Sequence, residues 1–355
     1  MPRGEISRSL RLGLKVDDWV VVRPANEILA TLDRNARLDG LPFQPEMLAF
    51  CGRRLQVAKV AHKTCDSSPN RAGGRRMYDT VHLKDSRCDG SMHDGCQADC
   101  VFFWKEAWLT RADSPSPPAL AASSEPCSER EVVSACQVAG SDPVDPVWVC
   151  QTTAVFEASD TLHWWDIRQY VRDVTSGNHT AGHMCKLLML AGYRKLVGLG
   201  YGYRALIAVY DKLARLLRAD PFPAIDGRIA DGTPTPAEKL DLQPGEWVEV
   251  RSRDEIAATI TPAGFNRGMR YDVEMLKYSG KRYRVQMRVD KLINEKNGKM
   301  SRMKTPSIQL ENVYCRAECT PTRLGCPRAS NTYWREIWLK RCDPPQEPVQ
   351  RSSSG

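Results

Sequence analysis

Four cysteines in the first hundred residues, Cys65, Cys88, Cys96 and Cys100, have the residue type and spacing of a metal site. Thiolate sulfur is a soft ligand, and Cys96 and Cys100 are close enough along the chain to grip one tetrahedral ion from a single loop. Gly90, Gly95 and the short polar residues around them suit a chain that folds back onto an ion, with Cys65 supplied from the end of a preceding strand. The chemistry this implies is a structural zinc site, and the same sulfurs could instead hold an iron–sulfur cluster. Cys51 lies upstream, and His62, His82 and His93 are interspersed. Two plainer readings stand beside these. Buried cysteines also serve as small hydrophobes, and an oxidising compartment would pair them as disulfides.

A second set, Cys315, Cys319, Cys326 and Cys342, lies near the other end of the chain. In the internal repeat set out below, Cys315 matches Cys88 and Cys326 matches Cys96, but Cys65 falls on Ile293 and Cys100 on Ser330. Half of the first ligand set is missing, so the expectation is a lost or degenerate site unless Cys319 and Cys342 rebuild it. His179 and His183, four residues apart, form a third possible cluster with Cys185; polar residues at a helix start explain them equally well. Motifs for other chemistry are lacking. The chain has no HExxH and no GxSxG, and Gly198, Gly200 and Gly202 follow no strand signal. Glu46 and Glu274 recur at matching repeat positions, which points to module structure before catalysis. No catalytic residue is assigned, and whether the chain is an enzyme stays open.

The elements that must position these residues come from the repeat. Setting Trp19 against Trp247, a shift of 228, aligns Glu27 with Glu255, Thr31 with Thr259, Glu46-Met47-Leu48 with Glu274-Met275-Leu276, and Gly52 with Gly280. After a short insertion the shift becomes 230, and FWKEAWL (103–109) lies on YWREIWL (333–339). The runs WVVVR, WVEVR, RLQVAKV and RYRVQMRV are β-branched or alternate at period two, as strands do. Asn297-Gly298 between KLINEK and KMSRMK predicts a hairpin turn with both residues at positive φ. FWKEAWL and YWREIWL read as alternating closing strands, with Leu109 on the face opposite Trp108. Helical signal within the copies is confined to NEILATLDRN and DEIAATI, each led by a residue able to cap.

The organisation that follows is α+β. Two copies of a small β-rich module, SH3-like or a similar barrel, occupy residues 15–111 and 243–342 and flank a helical segment at 148–218. Residues 112–147 and 219–242 read as Pro-rich linkers and 343–355 as a disordered tail. Within the helical segment, HMCKLLMLAGYRKLV and RALIAVYDKLARLLR carry apolar residues at helical spacing with basic residues opposite. They are expected to pack on each other, the alternative being a membrane surface.

Composition bounds the rest. Of 355 residues, 42% are hydrophobic and 26% charged, which excludes wholesale disorder and collagen-like repetition. No run of eighteen apolar residues is present, so no bilayer-spanning helix is expected. The first residues carry no apolar signal region, so the expected compartment is the reducing cytoplasm, where thirteen cysteines stay unpaired. Residues 243–342 hold 20 Lys and Arg against 11 Asp and Glu, whereas 15–111 hold 15 against 13. The excess centres on Lys281, Arg282, Arg284 and Arg288, interleaved with Tyr283 and followed by Tyr314 and Tyr333. This is a candidate surface for an acidic protein or other polyanion, nucleic acid included.

The elements WVVVRPANEILATLD, LPFQPEML-x-x-CGRRLQV, HKTCD, FWKEAWL, WWDIRQYVRDVTSGN and YWREIWLKR together resemble a family of uncharacterised bacterial proteins with this duplicated module. The resemblance covers most of the chain and brings no activity or cofactor with it. The functional expectation is a cytosolic, zinc-binding tandem-module protein acting as a binding or accessory factor. The alternatives are a metal-dependent or iron–sulfur redox enzyme of a biosynthetic pathway, and a nucleic-acid-binding protein working through the basic second module.

Overall fold

The structure, a computed structural model, describes residues 10–66, 73–113, 127–217 and 219–345. It is a mixture of helices and antiparallel sheets that divides into two compact units. Unit 1 comprises residues 1–209, 291–302 and 315–331; unit 2 comprises 210–290, 303–314 and 332–355.

Unit 1 begins with β1 (Trp19–Val22), α1 (Ala25–Leu29) and the short pair β2 (Arg37–Leu38) and β3 (Leu41–Pro42). A 3-10 turn over Pro45–Phe50 leads to β4 (Arg54–Val60), β5 (Lys63–Asp66), β6 (Gly73–Arg76), β7 (Thr80–Leu83), β8 (Trp104–Lys105) and β9 (Leu109–Arg111). Val20 and Val22 are fully buried while Trp19 is 47% exposed, the period-two alternation of a half-buried strand. β1 lies in a five-stranded sheet of order β8-β7-β4-β1-β9, with Trp19 opposite Gln56 and Val22 opposite Leu109. The core beneath is aromatic: Phe43 meets Trp108 edge-on at 5.2 Å and Trp104 at 6.3 Å. α1 lacks a side-chain cap because Pro24 occupies the cap position, so the expected capping residue is not used.

FWKEAWL is not one strand. A 3-10 turn over Glu106–Trp108 separates β8 from β9, and this rotation puts Trp104, Trp108 and Leu109 all into the core, where an extended chain would have split them between two faces. The turn also aims Glu106 at the backbone N–H groups of Leu12 and Gly13, at 2.5 and 2.8 Å.

Residues 127–136, expected as linker, join this core. α2 (Glu129–Ser134) starts on a Ser128/Glu131 capping box and buries Val132, with Cys127 beside it. The rest of the expected linker, 114–126, lies outside the described residues. β10 (Asp160–Leu162) then joins β6 and β5 in a three-stranded sheet. α3 (Arg168–Thr175) and α4 (Ala181–Gly198) pack together through Tyr170, Met184, Leu187 and Ala191, with Leu324. α5 (Tyr203–Leu216) buries Ala214 alone and leaves Val209, Leu213 and Leu216 more than half exposed. The expected mutual burial of the two long helices is therefore not what buries α4.

One buried ion pair ties distant segments of unit 1 together. Lys63 Nζ donates to Asp173 Oδ2 at 2.5 Å and to the Leu324 carbonyl at 2.7 Å, and Asp173 is fully buried. His62 Nε2 lies 3.3 Å from Asp173 Oδ1, but burial first, then the neighbouring Lys63 and Arg172 charges, lower its pKa to about 3, so it sits there neutral. Gly325 closes over the pair, and a Cβ there would stand 3.3 Å from Lys63 Nζ.

Unit 2 holds β11 (Trp247–Val250), α6 (Arg253–Ala257), β12 (Phe265–Asn266), β13 (Met269–Arg270) and a 3-10 turn over Val273–Tyr278. β14 (Arg282–Ile293), β15 (Met300–Leu310) and β16 (Leu339–Arg341) complete a four-stranded sheet of order β15-β14-β11-β16. Its pairings are Trp247 with Arg284 and Val250 with Leu339. A 3-10 turn over Glu336–Trp338 again interrupts the closing strand, and Glu336 accepts the N–H groups of Leu240 and Leu242 at 3.0 and 2.9 Å.

The β14–β15 hairpin forms where Asn297-Gly298 predicted it, but with a longer turn. Asn294 accepts from Gly298 and donates to Lys299, both at 2.9 Å, and Gly298 alone takes positive φ, at +71°. The glycine is required by space as well. A Cβ on Gly298 would stand 2.5 Å from the Trp148 carbonyl. Among the described residues no helix is long and apolar enough to cross a membrane. The expected tail beyond residue 345 lies outside the described residues.

Candidate metal centre

The site grows from two local structures of unit 1. The first is the 3-10 turn over Pro45–Phe50: Pro45 begins it, Met47 anchors it in the core, and Glu46 projects from its first turn. The second is the 88–96 loop. Cys88 donates its N–H to the Cys100 carbonyl at 2.8 Å and closes the loop's base. Inside, the N–H groups of His93 and Gly95 both reach the Gly90 carbonyl at 2.9 Å, and Cys96 N–H reaches the His93 carbonyl at 3.1 Å. So tight a coil admits only glycine at position 90: φ is +70°, and a Cβ would stand 2.1 Å from the Cys96 carbonyl oxygen.

These pieces bring Glu46, Cys88 and His93 together, with one ligand atom of each within 4.8 Å of the others. Glu46 Oε1 accepts from His93 Nδ1 at 2.7 Å, from Met92 N–H at 3.3 Å and from Cys88 Sγ at 3.6 Å. The side chains of His93 and Glu46 are 1% and 4% exposed. Among the described residues Glu46 Oε2 is buried with no hydrogen-bond partner, an unusual state for a carboxylate oxygen. His93 Nε2 donates to the Val149 carbonyl at 3.1 Å, which leaves Nδ1 to face the cluster. Gln44 Nε2 donates to Cys88 Sγ at 3.7 Å, and the Gln44 carbonyl oxygen accepts from Gln151 N–H at 2.9 Å.

Electrostatics couple the three groups. Burial draws the Glu46 carboxyl upward, but the hydrogen bond and charge of His93 outweigh it and hold the group below its ordinary value. Burial opposes charge on His93 too; hydrogen bonds to Cys136 and Glu46 nonetheless raise it to about 11. Burial, then the Glu46 charge, push the Cys88 thiol far up. Without an ion, the cluster is a protonated thiol and an imidazolium around one carboxylate. An ion of charge two would replace both protons.

The four sulfurs expected to converge are divided. Cys88 is in this cluster, and Cys100 is near enough to act on its charge. Cys96 packs with Trp148 and Ile293, and its sulfur accepts the Ile293 N–H at 3.3 Å. Cys65 lies elsewhere, packed with Cys326, Ala317 and Cys315. Cys150, not in the expected set, acts on the charges of Cys88, Cys96 and Cys100 alike. Of the second expected set, Cys315, Cys319 and Cys326 belong to unit 1, whereas Cys342 belongs to unit 2, where its N–H bonds the Trp247 carbonyl. His179 and His183 stack at 5.1 Å, but Cys185 is exposed, and among the described residues only Glu46, Cys88 and His93 form a three-ligand group.

Sequence reasoning noted His93 among the cysteines and read Glu46 as module structure, but placed neither in the ligand set. His93 follows Cys88 by five positions within one Gly-bounded loop, a ligand spacing that would have identified it. Glu46 is 42 residues away and leaves no local signal. The basic residues of unit 2 are largely paired within that unit. Arg282 meets Glu249 at 3.7 Å, Arg284 meets Glu311 at 3.9 Å, and Arg288 meets Glu336 at 3.0 Å, while Lys281 is exposed.

No family model, curated protein or solved structure matches the chain.

Proposed function

We propose that the protein is a metal-stapled binding or accessory protein made of two related modules, and that unit 1 holds one zinc-class ion at Glu46, Cys88 and His93. The observation that carries this reading is the meeting of three chemically different ligand atoms within 4.8 Å. The partnerless Glu46 oxygen supports it. Carboxylate, thiolate and imidazole are all ligands zinc accepts in tetrahedral sites. Cys136 and Cys150, which act electrostatically on His93 and Cys88, are the sulfurs available to complete four ligands.

Closure of the site argues for a structural role. Catalytic zinc keeps an open position for water or substrate, whereas the His93 and Glu46 side chains are almost wholly covered and Cys88 is partly so. The ion would then hold the 88–96 loop to the 3-10 turn and leave binding to exposed surfaces. Thirteen free thiols fit a reducing compartment, the cytoplasm in this reading. The recurring hydrogen bonds of the two modules support a common small β-rich, SH3-like plan. An acidic partner of unit 2 would have to compete with that unit's own carboxylates for Arg282, Arg284 and Arg288.

Metal analysis of the purified full chain, with its absorption spectrum, tests the reading. The expected result is a colourless protein with about one zinc per chain, lost in Cys88→Ala and His93→Ala. Brown protein containing iron and labile sulfide would replace zinc by the iron–sulfur alternative. Metal-free protein, or full zinc occupancy in Cys88→Ala, would overturn the site.

A further inference from the structure

Apart from the metal cluster, unit 1 brings together two sulfurs separated by most of the chain. Cys65 ends up near the close of β5, and Cys326 lies in the 315–331 loop; they are 7% and 8% exposed. They pack in one buried group with Ala317, against Cys315. Both side chains belong to this one buried group, and all thirteen cysteines are free thiols. Beside them lies a buried cation: Arg328 Nη1 donates to the Cys65 carbonyl at 3.4 Å, and its guanidinium pairs with Glu295.

We infer that Cys65 and Cys326 are a redox-responsive thiol pair, oxidised by a hydroperoxide to a disulfide that ties β5 to the 315–331 loop. Of two thiols packed together, the one whose own residue is held by a guanidinium ionises first, which assigns Cys65 as the attacking thiolate. The hydrogen bond from Cys326, and Arg328 after burial is overcome, draw its pKa down to about 6. The Cys65 thiolate attacks one peroxide oxygen, the O–O bond breaks, and hydroxide leaves, giving a sulfenic acid at Cys65. The Cys326 sulfur then attacks the Cys65 sulfur; the S–O bond breaks, and the Cys326 proton leaves with the hydroxyl as water. Overall, two thiols and one hydrogen peroxide give one disulfide and two waters. Burial restricts the oxidant to a small one, and the neighbouring Cys326 protects the sulfenic acid from further oxidation by consuming it.

The test treats the full chain with hydrogen peroxide, blocks remaining thiols and maps unreduced tryptic peptides by mass spectrometry. The expected product links peptides 64–71 and 324–328, rising from a trace to the majority of molecules and disappearing after reduction. In Cys326→Ser, Cys65 should instead be trapped as a sulfenic acid by dimedone. The inference fails if the linked peptide stays at trace level while the exposed Cys185 is oxidised. It fails equally if Cys65 links to Cys315 as often as to Cys326. The wild-type map decides the matter even if the variant does not fold, and neither failure bears on the zinc reading.

Discussion

In unit 1 the indole N–H of Trp108 donates to Thr31 Oγ1 at 3.1 Å, and Thr31 Oγ1 donates to the Ile28 carbonyl. In unit 2 Trp338 donates to Thr259 at 3.0 Å, and Thr259 to Ile256. Gly52 N–H reaches the Val22 carbonyl, and Gly280 N–H reaches that of Val250. Phe43 and Tyr271 occupy the same place, each edge-on to a tryptophan at 5.2 and 5.1 Å. Even the loop bases agree, although the second loop, 315–331, belongs to unit 1: Cys88 donates to the residue-100 carbonyl, and Cys315 to that of Ser330. What differs is the cargo of that loop. Cys96 N–H bonds the His93 carbonyl and Cys326 N–H bonds the Arg323 carbonyl, so Arg323 holds the backbone position that His93 holds in the first loop. A backbone frame and its aromatic core can persist while the side chains carried on one loop change.

The sharpest way to break this comparison is to attack what the modules share. Trp108→Ala and Trp338→Ala each remove a fully buried indole and should cost their own unit about 4 kcal/mol. Denaturant unfolding followed by hydrogen exchange would show it. A loss confined to one of the two variants would mean the cores are not equivalent.

Metal removal probes the difference instead. Chelation, or Cys88→Ala, should lower the melting temperature of unit 1 by roughly 10 °C. Cys315→Ala should not respond to chelation at all. Calorimetry with and without chelator separates these outcomes, and an equal response in both variants would contradict a single ion site.

Acid should also discriminate, because all six histidines belong to unit 1. Burial lowers His62 to about 3 and His82 to about 4, from an unfolded value of about 6.5. Both therefore bind protons more readily unfolded. Their stabilisation is complete above pH 6.5 and declines below it, by about 1.4 kcal/mol per pH unit for each residue. Chemical denaturation at pH 7.0 and pH 5.5 should show unit 1 losing stability while unit 2 changes little.

Smaller effects follow for the turn carboxylates and the basic strand. Glu106→Gln and Glu336→Gln replace charge-assisted acceptors of three and two backbone N–H groups and should each cost about 2 kcal/mol. Arg284→Ala removes an exposed pair and should change stability by less than about 1 kcal/mol. A steep salt-dependent loss of polyanion binding in that variant would revive nucleic acid as the partner.

Much of the frame was legible because tryptophan, glycine and β-branched residues recur at fixed offsets, and such positions are set by local geometry and burial. The interruption at Glu106 was not, since WKEAW suits a strand as well as a 3-10 turn, and only the packing of Trp104 against Phe43 and Phe50 decides between them. The site was half legible. Cys88 was identified from its type and loop, whereas Glu46 enters through a tertiary contact that no spacing encodes. Cys65 was grouped with other sulfurs for the same reason: it packs with Cys326, 261 residues further along the chain.

The lysine–aspartate contact under Gly325 has a consequence for how unit 1 comes apart. Peeling the 324–325 segment away would strip Lys63 of one acceptor and open a fully dry carboxylate to water, so partial fraying there is penalised before any larger loss of structure. Amides on β5, α3 and that loop should then exchange with solvent together, as a single cooperative event.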